Sequence, residues 1–377
     1  MIATSFQRWT GASALALAVV CGTATQAAAT QTTASASPAV QANLMELVLK
    51  DGFPAALASV RSRDGRMRDY TAGLKEQPPA DGYVRIGSNT KTFTAVTVLQ
   101  LVGEGKVKLD APVETYLPGL LRGDGIDGRR ITVRQLLQHT SGLPEYTDFL
   151  AKGILPYQHT HFEPRRLLDM ALAKKAQFAP GAKWQYTNTN YIVAGLLIEK
   201  VTGRPAGEEI TRRTVKKLGL TRTYFPRSGD QEIRTPHPTG YHRDDPKRPM
   251  TDVSSFDPSQ AWTAGQMIST PSDLNRFFTA LIDGKLLKPA QLKEMRTTVK
   301  APMLGPNAQY GLGLSSVKLS CGVTAWGHGG SIPGFSTTNA ATEDGRAAAV
   351  AVTHLPTTAA GLKHVEAALD TAICAQF

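Results

Sequence analysis

Arg85-Ile86-Gly87-Ser88-Asn89-Thr90-Lys91-Thr92-Phe93 stands at the start of an apolar stretch with helical spacing. Ser88 and Lys91 are three residues apart, about one helical turn, which sets the lysine amine beside the serine hydroxyl. A serine hydroxyl is a weak nucleophile at neutral pH. An amine held against it in a water-poor pocket loses its charge and accepts the serine proton. The same Ser-x-x-Lys spacing recurs at Ser315 and Lys318, so the pattern gains meaning only from its surroundings.

Two constellations further along the chain bear on it. Tyr186-Thr187-Asn188 is the only Tyr-x-Asn among ten tyrosines and follows the turn Phe178-Ala179-Pro180-Gly181, which puts it on a loop between helices. A phenol of pKa about 10 shuttles protons if a neighbouring ammonium, here Lys91, lowers that value. Taken alone, Tyr186 reads more readily as a half-buried core aromatic. Asn188 has both an acceptor and donors with which to hold a substrate amide. The other constellation is Trp326-Gly327-His328-Gly329-Gly330-Ser331, directly after a strand at Val323 to Trp326. Gly329 and Gly330 let a substrate backbone lie along the strand edge, and backbone N–H groups there can face a developing oxyanion. His328 is expected to turn a cation or a donor to the site; the alternative is a surface histidine in a glycine-rich turn. Lys217-Leu218-Gly219 has a similar spacing but ends a helical charge run, where Gly219 reads as a C-cap.

Towards the N-terminus, Arg8 precedes an apolar run from about Gly11 to Cys21, then Thr25-Gln26-Ala27-Ala28-Ala29. That order reads as a secretory signal peptide over residues 1–29, cleaved after Ala27 or Ala29. The run is too short to span ~30 Å of hydrocarbon, so no transmembrane anchor is expected after cleavage. Residues 30–41, rich in Ala, Ser and Thr, read as a disordered lead-in. The protein is therefore expected to be secreted or periplasmic. In such a compartment the two remaining cysteines, Cys321 and Cys374, read as a structural disulfide.

The net charge is +11, but the basic pairs are scattered and have no aromatic interleaving. No nucleic-acid partner is expected; attraction to a polyanionic cell wall remains an option. There is no His-Glu-x-x-His, and His159-Thr160-His161 has no third ligand in view, so neither a metal nor another cofactor is expected. The mature chain of roughly 345 residues exceeds the size at which single cores stop growing, so two lobes are expected. Strands read at Ala55 to Arg61, Val84 to Ile86, Val323 to Trp326 and Ala347 to His354. Helical spacing marks Thr132 to His139, Pro164 to Lys174, Asn190 to Val201, Ser272 to Leu281 and Leu362 to Ile373. Ser272-Asp273 reads as a cap and Gly203 as a C-cap. The expected organisation is an α/β sheet domain from residues 42–110 and 282–377, interrupted by an all-helical domain at 111–281.

Ser-x-x-Lys, Tyr-x-Asn and His-x-Gly, in this order, resemble the penicillin-recognising serine hydrolases: class C β-lactamases, related esterases and D-alanyl-D-alanine carboxypeptidases. The likeness runs from about Gln41 to Cys374. It includes Gly103-Glu104-Gly105-Lys106, Tyr116-Leu117-Pro118, the stretch Leu136 to Leu143, Ala264-Gly265-Gln266-Met267 and Tyr310-Gly311-Leu312-Gly313. Within the group the chain is most similar to secreted D-alanyl-D-alanine carboxypeptidases, through Cys321-Gly322, Cys374 and a histidine in place of the third-motif lysine. The resemblance implies an α+β fold, an antiparallel β-sheet flanked by helices with an inserted all-helical domain. It also implies Ser88 as nucleophile, Lys91 as proton acceptor and Tyr186 as proton relay. Asn188, His328, Gly329, Gly330 and Ser331 would bind substrate, and the N–H groups of Ser88 and Ser331 would form the oxyanion hole. Lys91 and Tyr186 share the base role as a coupled pair.

The chain departs from its relatives in two places. Thr187 replaces the usual serine, which keeps the hydroxyl. Ser315 stands where the carboxypeptidases carry an arginine for the substrate carboxylate. The expected activity is a D-alanyl-D-alanine carboxypeptidase acting on cell-wall peptides. An esterase or amidase, or a class C-like β-lactamase, of the same fold is the alternative, and a non-catalytic penicillin-binding module is the second. Substrates in all cases are small molecules or peptides.

Overall fold

The computed structural model describes residues 37–305 and 307–375. The expected signal peptide and its cleavage site lie outside them. Ala347-Ala348-Ala349-Val350-Ala351-Val352 is buried at every position, the mark of a strand covered on both faces. Its side chains alternate: Ala347, Ala349 and Ala351 enter one apolar cluster and Ala348, Val350 and Val352 the other. This strand, β8, lies inside an eight-stranded sheet. The others are β1 (Ala55–Arg61), β2 (Met67–Gly73), β3 (Val299–Lys300), β4 (Gln309–Tyr310), β5 (Ser315–Lys318), β6 (Thr324–Ile332) and β7 (Phe335–Thr342). The order is β2-β1-β8-β7-β6-β5-β4-β3, with antiparallel pairing throughout. Ala56 pairs with Val352, so both ends of the chain build the sheet.

Helices α1 (Pro38–Leu49) and α6 (Ala359–Cys374) cover one face, where Val40, Leu44, Leu47 and Val48 meet Val365, Leu369 and Ala372. This corrects the disordered lead-in at residues 38–41. Val40 is buried, the Ser37 N–H donates to Tyr70 Oη (2.9 Å), and Gln41 Nε2 donates to Thr71 O (3.0 Å). Composition hid a helix whose stability comes from tertiary packing. The opposite face carries α5 (Pro271–Ile282), which buries Phe277, Phe278 and Leu281. Its N-cap is Thr270, whose hydroxyl accepts the Asp273 N–H (3.3 Å), with Pro271 in the first turn. The expected cap at Ser272 therefore sits two residues too late, because proline is favoured at the first helical position.

Helices α2 (Thr90–Gly103), α3 (Val133–Leu137) and α4 (Thr189–Thr202) lie on that second side and share its apolar cluster. Helix α2 is buried nearly all round, as expected of a central helix. Gly203 ends α4 in the left-handed conformation. The described residues form one compact unit. The stretch 111–281 is not purely helical: Arg122–Gly123 pairs with Ile126–Asp127, and Tyr241–His242 with Thr251–Asp252. The first is a hairpin around Asp124-Gly125, a two-residue turn signal that helical periodicity does not register. The bridge between Cys321 and Cys374 closes a 53-residue separation and ties the β5–β6 connection to the end of α6. No described helix is long and apolar enough to cross a membrane.

Candidate active site

Gly87–Asn89 forms a single 3-10 turn that runs into α2 and leaves Ser88 partly exposed. Gly87 has φ +48°, and a Cβ there would come within 2.8 Å of Ser331 N. Glycine is what lets β6 pass this close to the serine turn. The turn is stitched to the sheet by Asn89, a residue that carries no motif signal. Asn89 Nδ2 donates to Ile86 O (2.8 Å) and Thr337 Oγ1 (2.7 Å), while the Asn339 amide donates to Asn89 Oδ1.

Lys91 is fully buried. Its Nζ lies 2.9 Å from Ser88 Oγ, 2.7 Å from Asn188 Oδ1 and 2.7 Å from Ala264 O. Burial brings its pKa down to about 7, with the charge of Glu145 opposing the shift. In the neutral amine, two N–H groups satisfy the two carbonyl oxygens, and the lone pair is left for the one partner with a proton to give, the Ser88 hydroxyl. Ala264 belongs to the Ala264-Gly265-Gln266-Met267 stretch, on a one-turn helix at Trp262–Gly265.

Asn188 is oriented by Glu145, a residue that sequence reasoning passed over. Glu145 Oε2 accepts the Asn188 N–H (2.7 Å) and Nδ2–H (3.1 Å), so Asn188 must turn its oxygen to Lys91. Glu145 Oε1 accepts the N–H groups of Tyr146 (2.9 Å) and Thr147 (3.1 Å). Among the described residues its carboxylate has no cationic partner.

The Tyr186 ring lies under Lys91, with Nζ 4.9 Å from its centroid. The ring is partly exposed; the hydroxyl is buried and makes no well-formed hydrogen bond among the described residues. Burial pushes its pKa up, and the neighbouring Ser88 hydroxyl opposes this only in part. This corrects the expectation that Lys91 lowers the phenol: a lysine desolvated to the neutral amine supplies little charge. His328 also differs from expectation. Its Nδ1 faces Gly329 O, a pure acceptor, so Nδ1 carries the proton and Nε2 accepts the Tyr310 O–H (3.0 Å). Burial holds its pKa down at about 3. With both nitrogens used, His328 offers the site neither a cation nor a free donor.

β5 pairs with β6 only as far as Ser315↔Gly327, so the β6 edge beyond Gly327 is free of β5. Gly329 and Ser331 are exposed while His328 and Gly330 point inward. Gly330 is glycine for a different reason from the one expected: a Cβ there would lie 2.0 Å from Ile86 O. Ser315 Oγ donates to Gly327 O (2.8 Å), which places a tied hydroxyl where the carboxypeptidases are expected to carry a cation.

The family model described as Beta-lactamase matches residues 40–372. A D-stereospecific amidohydrolase from Streptomyces sp. is 41% identical, with 91% of this chain and all of that chain covered and a TM-score of 0.83. D-amino acid amidase from Ochrobactrum anthropi SV3 is 27% identical, with 89% and 96% covered and a TM-score of 0.78. The chain spans less than two thirds of the curated relatives it first matches. It covers 62% of Bacillus subtilis PbpX, named for the penicillin-binding proteins and 28% identical over 72% of this chain. It covers 28% of Staphylococcus aureus Protein flp, 31% identical over 39% of this chain.

Proposed function

Because the chain belongs to the Beta-lactamase family of penicillin-recognising serine hydrolases, we propose that it cleaves amide bonds through an acyl-enzyme at Ser88, acting on small amides and peptides of D-amino acids. The observation that carries this reading is the buried Lys91 amine, held by two carbonyl oxygens with Ser88 Oγ as its third partner. Ser88 O–H gives its proton to Lys91 as Oγ bonds to the carbonyl carbon. The resulting oxyanion is received by the N–H groups of Ser88 and Ser331. Tyr186 then passes a proton to the departing amine, its raised pKa suiting a group that stays protonated until the leaving nitrogen takes the proton. The Lys91 ammonium returns its proton to the Tyr186 phenolate, and the neutral amine then takes a proton from the attacking water and passes it to Ser88 Oγ as the ester breaks. Gly329 and the free edge of β6 accommodate the substrate backbone, with His328 packed behind it.

Charge at the site supports the choice of substrate. Ser315 supplies no cation for a terminal carboxylate, whereas Glu145 is a carboxylate without a cationic partner beside Asn188. A substrate ammonium complements it better than a carboxylate does. This favours amidase over the expected D-alanyl-D-alanine carboxypeptidase, and the similarity to the D-stereospecific amidohydrolase and the D-amino acid amidase points the same way. The same reading places the mature protein outside the cytoplasm after cleavage near Ala27–Ala29, with its basic surface drawn to the cell wall.

The test compares kcat/KM for D-alanine amide, N-acetyl-D-alanine amide and N-acetyl-D-Ala-D-Ala. A charge-assisted hydrogen bond is worth roughly 1.5–3 kcal/mol, so the free ammonium should be preferred by about ten- to a hundred-fold. Glu145→Gln should remove most of that preference. A hundred-fold preference for the free carboxylate substrate over the other two would establish a carboxypeptidase instead.

A further inference from the structure

His139 takes no part in the reaction above, yet its backbone is held in an unusual conformation beside the site. It follows α3 in the stretch Leu136-Leu137-Gln138-His139-Thr140-Ser141-Gly142-Leu143 and is fully buried. Its φ is +64°, in the left-handed region that non-glycine residues rarely occupy and that persists only where the surroundings impose it. In that conformation the residue meets the Tyr186 loop at two points. Its carbonyl oxygen accepts the Gln185 N–H (3.0 Å) and its Nδ1 accepts the Thr187 N–H (3.3 Å). The two residues that flank Tyr186 are thus both bonded to one histidine.

The tautomer follows from these partners. A ring nitrogen that accepts a backbone N–H carries no proton, and Asn190 Nδ2 also faces Nδ1, at 3.1 Å. The proton of the neutral ring is therefore on Nε2, which is buried and has no hydrogen-bond partner among the described residues. Burial, with Lys91 and His328 nearby, keeps the imidazole neutral. Its ring lies 4.2 Å from that of Tyr186 at an interplanar angle of 30°, with Tyr310 at 5.0 Å and Tyr191 at 5.3 Å. A core that needed only volume here would be served by leucine. What histidine adds is an acceptor aimed at the Tyr186 loop.

We propose that His139 is a positioning residue for Tyr186: it grips the chain on both sides of the tyrosine and backs its ring, which holds the phenol where the leaving group departs. The inference rests on the proton-relay role given to Tyr186. It predicts that the effect of losing the imidazole depends on the leaving group. An amine must be protonated to depart, whereas p-nitrophenolate departs without a proton.

The experiment measures kcat and KM for D-alanine amide and p-nitrophenyl acetate in four proteins, each checked for native near-UV circular dichroism. Tyr186→Phe comes first and should lower amide kcat by at least a hundred-fold while ester turnover stays within about threefold. Failure to separate the two substrates would refute the relay reading itself, without involving His139. His139→Gly removes the imidazole and tolerates the left-handed backbone. It should lower amide kcat at least tenfold, with amide KM and ester turnover within about threefold. His139→Asn restores an acceptor near the position of Nδ1 on a residue that also tolerates positive φ, and should recover amide turnover to within about threefold of wild type. If Tyr186→Phe separates the substrates but His139→Gly lowers both alike or neither, the positioning role is overturned. An asparagine variant whose amide-to-ester ratio falls tenfold overturns it as well, and decides the matter alone if the glycine variant does not fold.

Discussion

Ser88, Lys91 and Asn188 converge within hydrogen-bond distance, and the chemistry of the trio turns on the charge of one amine. The Lys91 pKa of about 7 lies below its ordinary 10.5 because burial penalises the ammonium. The base is the neutral form, so kcat/KM should fall about tenfold per pH unit below pH 7 and level off above it, as a pH–rate profile would record. Stability carries the matching sign. Between pH 7 and 10.5 the unfolded chain binds the lysine proton that the folded chain has lost, so stability should rise with pH across that window. Lys91→Met should remove this contribution, measured by urea unfolding at pH 7 and 9, and abolish turnover. No kinetic step near pH 6.5 is expected from His328, which is already neutral above about pH 3. Ser88, Lys91 and Asn188 were legible because two of them share one helical turn and the third sits in a distinctive triplet. The direction of the Tyr186 shift was not, since the depth of its hydroxyl depends on chain segments remote in sequence.

At the scale of elements, β6 lies tightly against the turn that carries Ser88. Two neighbouring glycines make opposite predictions. Gly330→Ala would drive a Cβ to 2.0 Å from Ile86 O, prising the serine turn from the strand that faces it. Overpacking of this kind costs about 1–3 kcal/mol, and activity should fall far more than stability because the oxyanion donors separate. Gly329→Ala meets nothing nearer than 3.7 Å, so the melting temperature should hold and any effect should appear in KM. Calorimetry and steady-state kinetics on both variants check the pair; equal behaviour would refute the close approach. Helix α1 yields a simpler expectation. Leu44 is buried between that helix and the sheet, so Leu44→Ala should cost about 2–5 kcal/mol in urea unfolding. That cost would be absent if helix α1 did not pack against the sheet.

For the whole molecule, the Cys321–Cys374 bridge clasps the last helix to the sheet connection that precedes β6. Closing a loop with a 53-residue separation is worth about 4 kcal/mol in the chain-entropy model. Cys374→Ser should lower the melting temperature while leaving low-temperature activity largely intact, since neither cysteine contacts the Ser88 network. Mass spectrometry after incubation with a penicillin should find a single adduct on the Ser88 peptide. Labelling at Ser315, the other Ser-x-x-Lys serine, would overturn the assignment; its hydroxyl is already committed to Gly327 O.

The sequence by itself determined the family, the sheet built from both chain ends, the pairing of Ser88 with the Lys91 amine, and the cysteine pair. Each is written in local spacing or in residue types that chemistry restricts. Tertiary structure alone decided which groups are charged and why certain residues are small. Desolvation at Lys91, Tyr186 and His328 is imposed by segments far apart in sequence, and a pKa follows burial. Gly330 is glycine because Ile86 O lies behind it, and His328 is silent because Tyr310 and Gly329 occupy its nitrogens. Glu145, Asn89 and His139 belong to no spacing pattern, because their roles are made of contacts to residues dozens to hundreds of positions away.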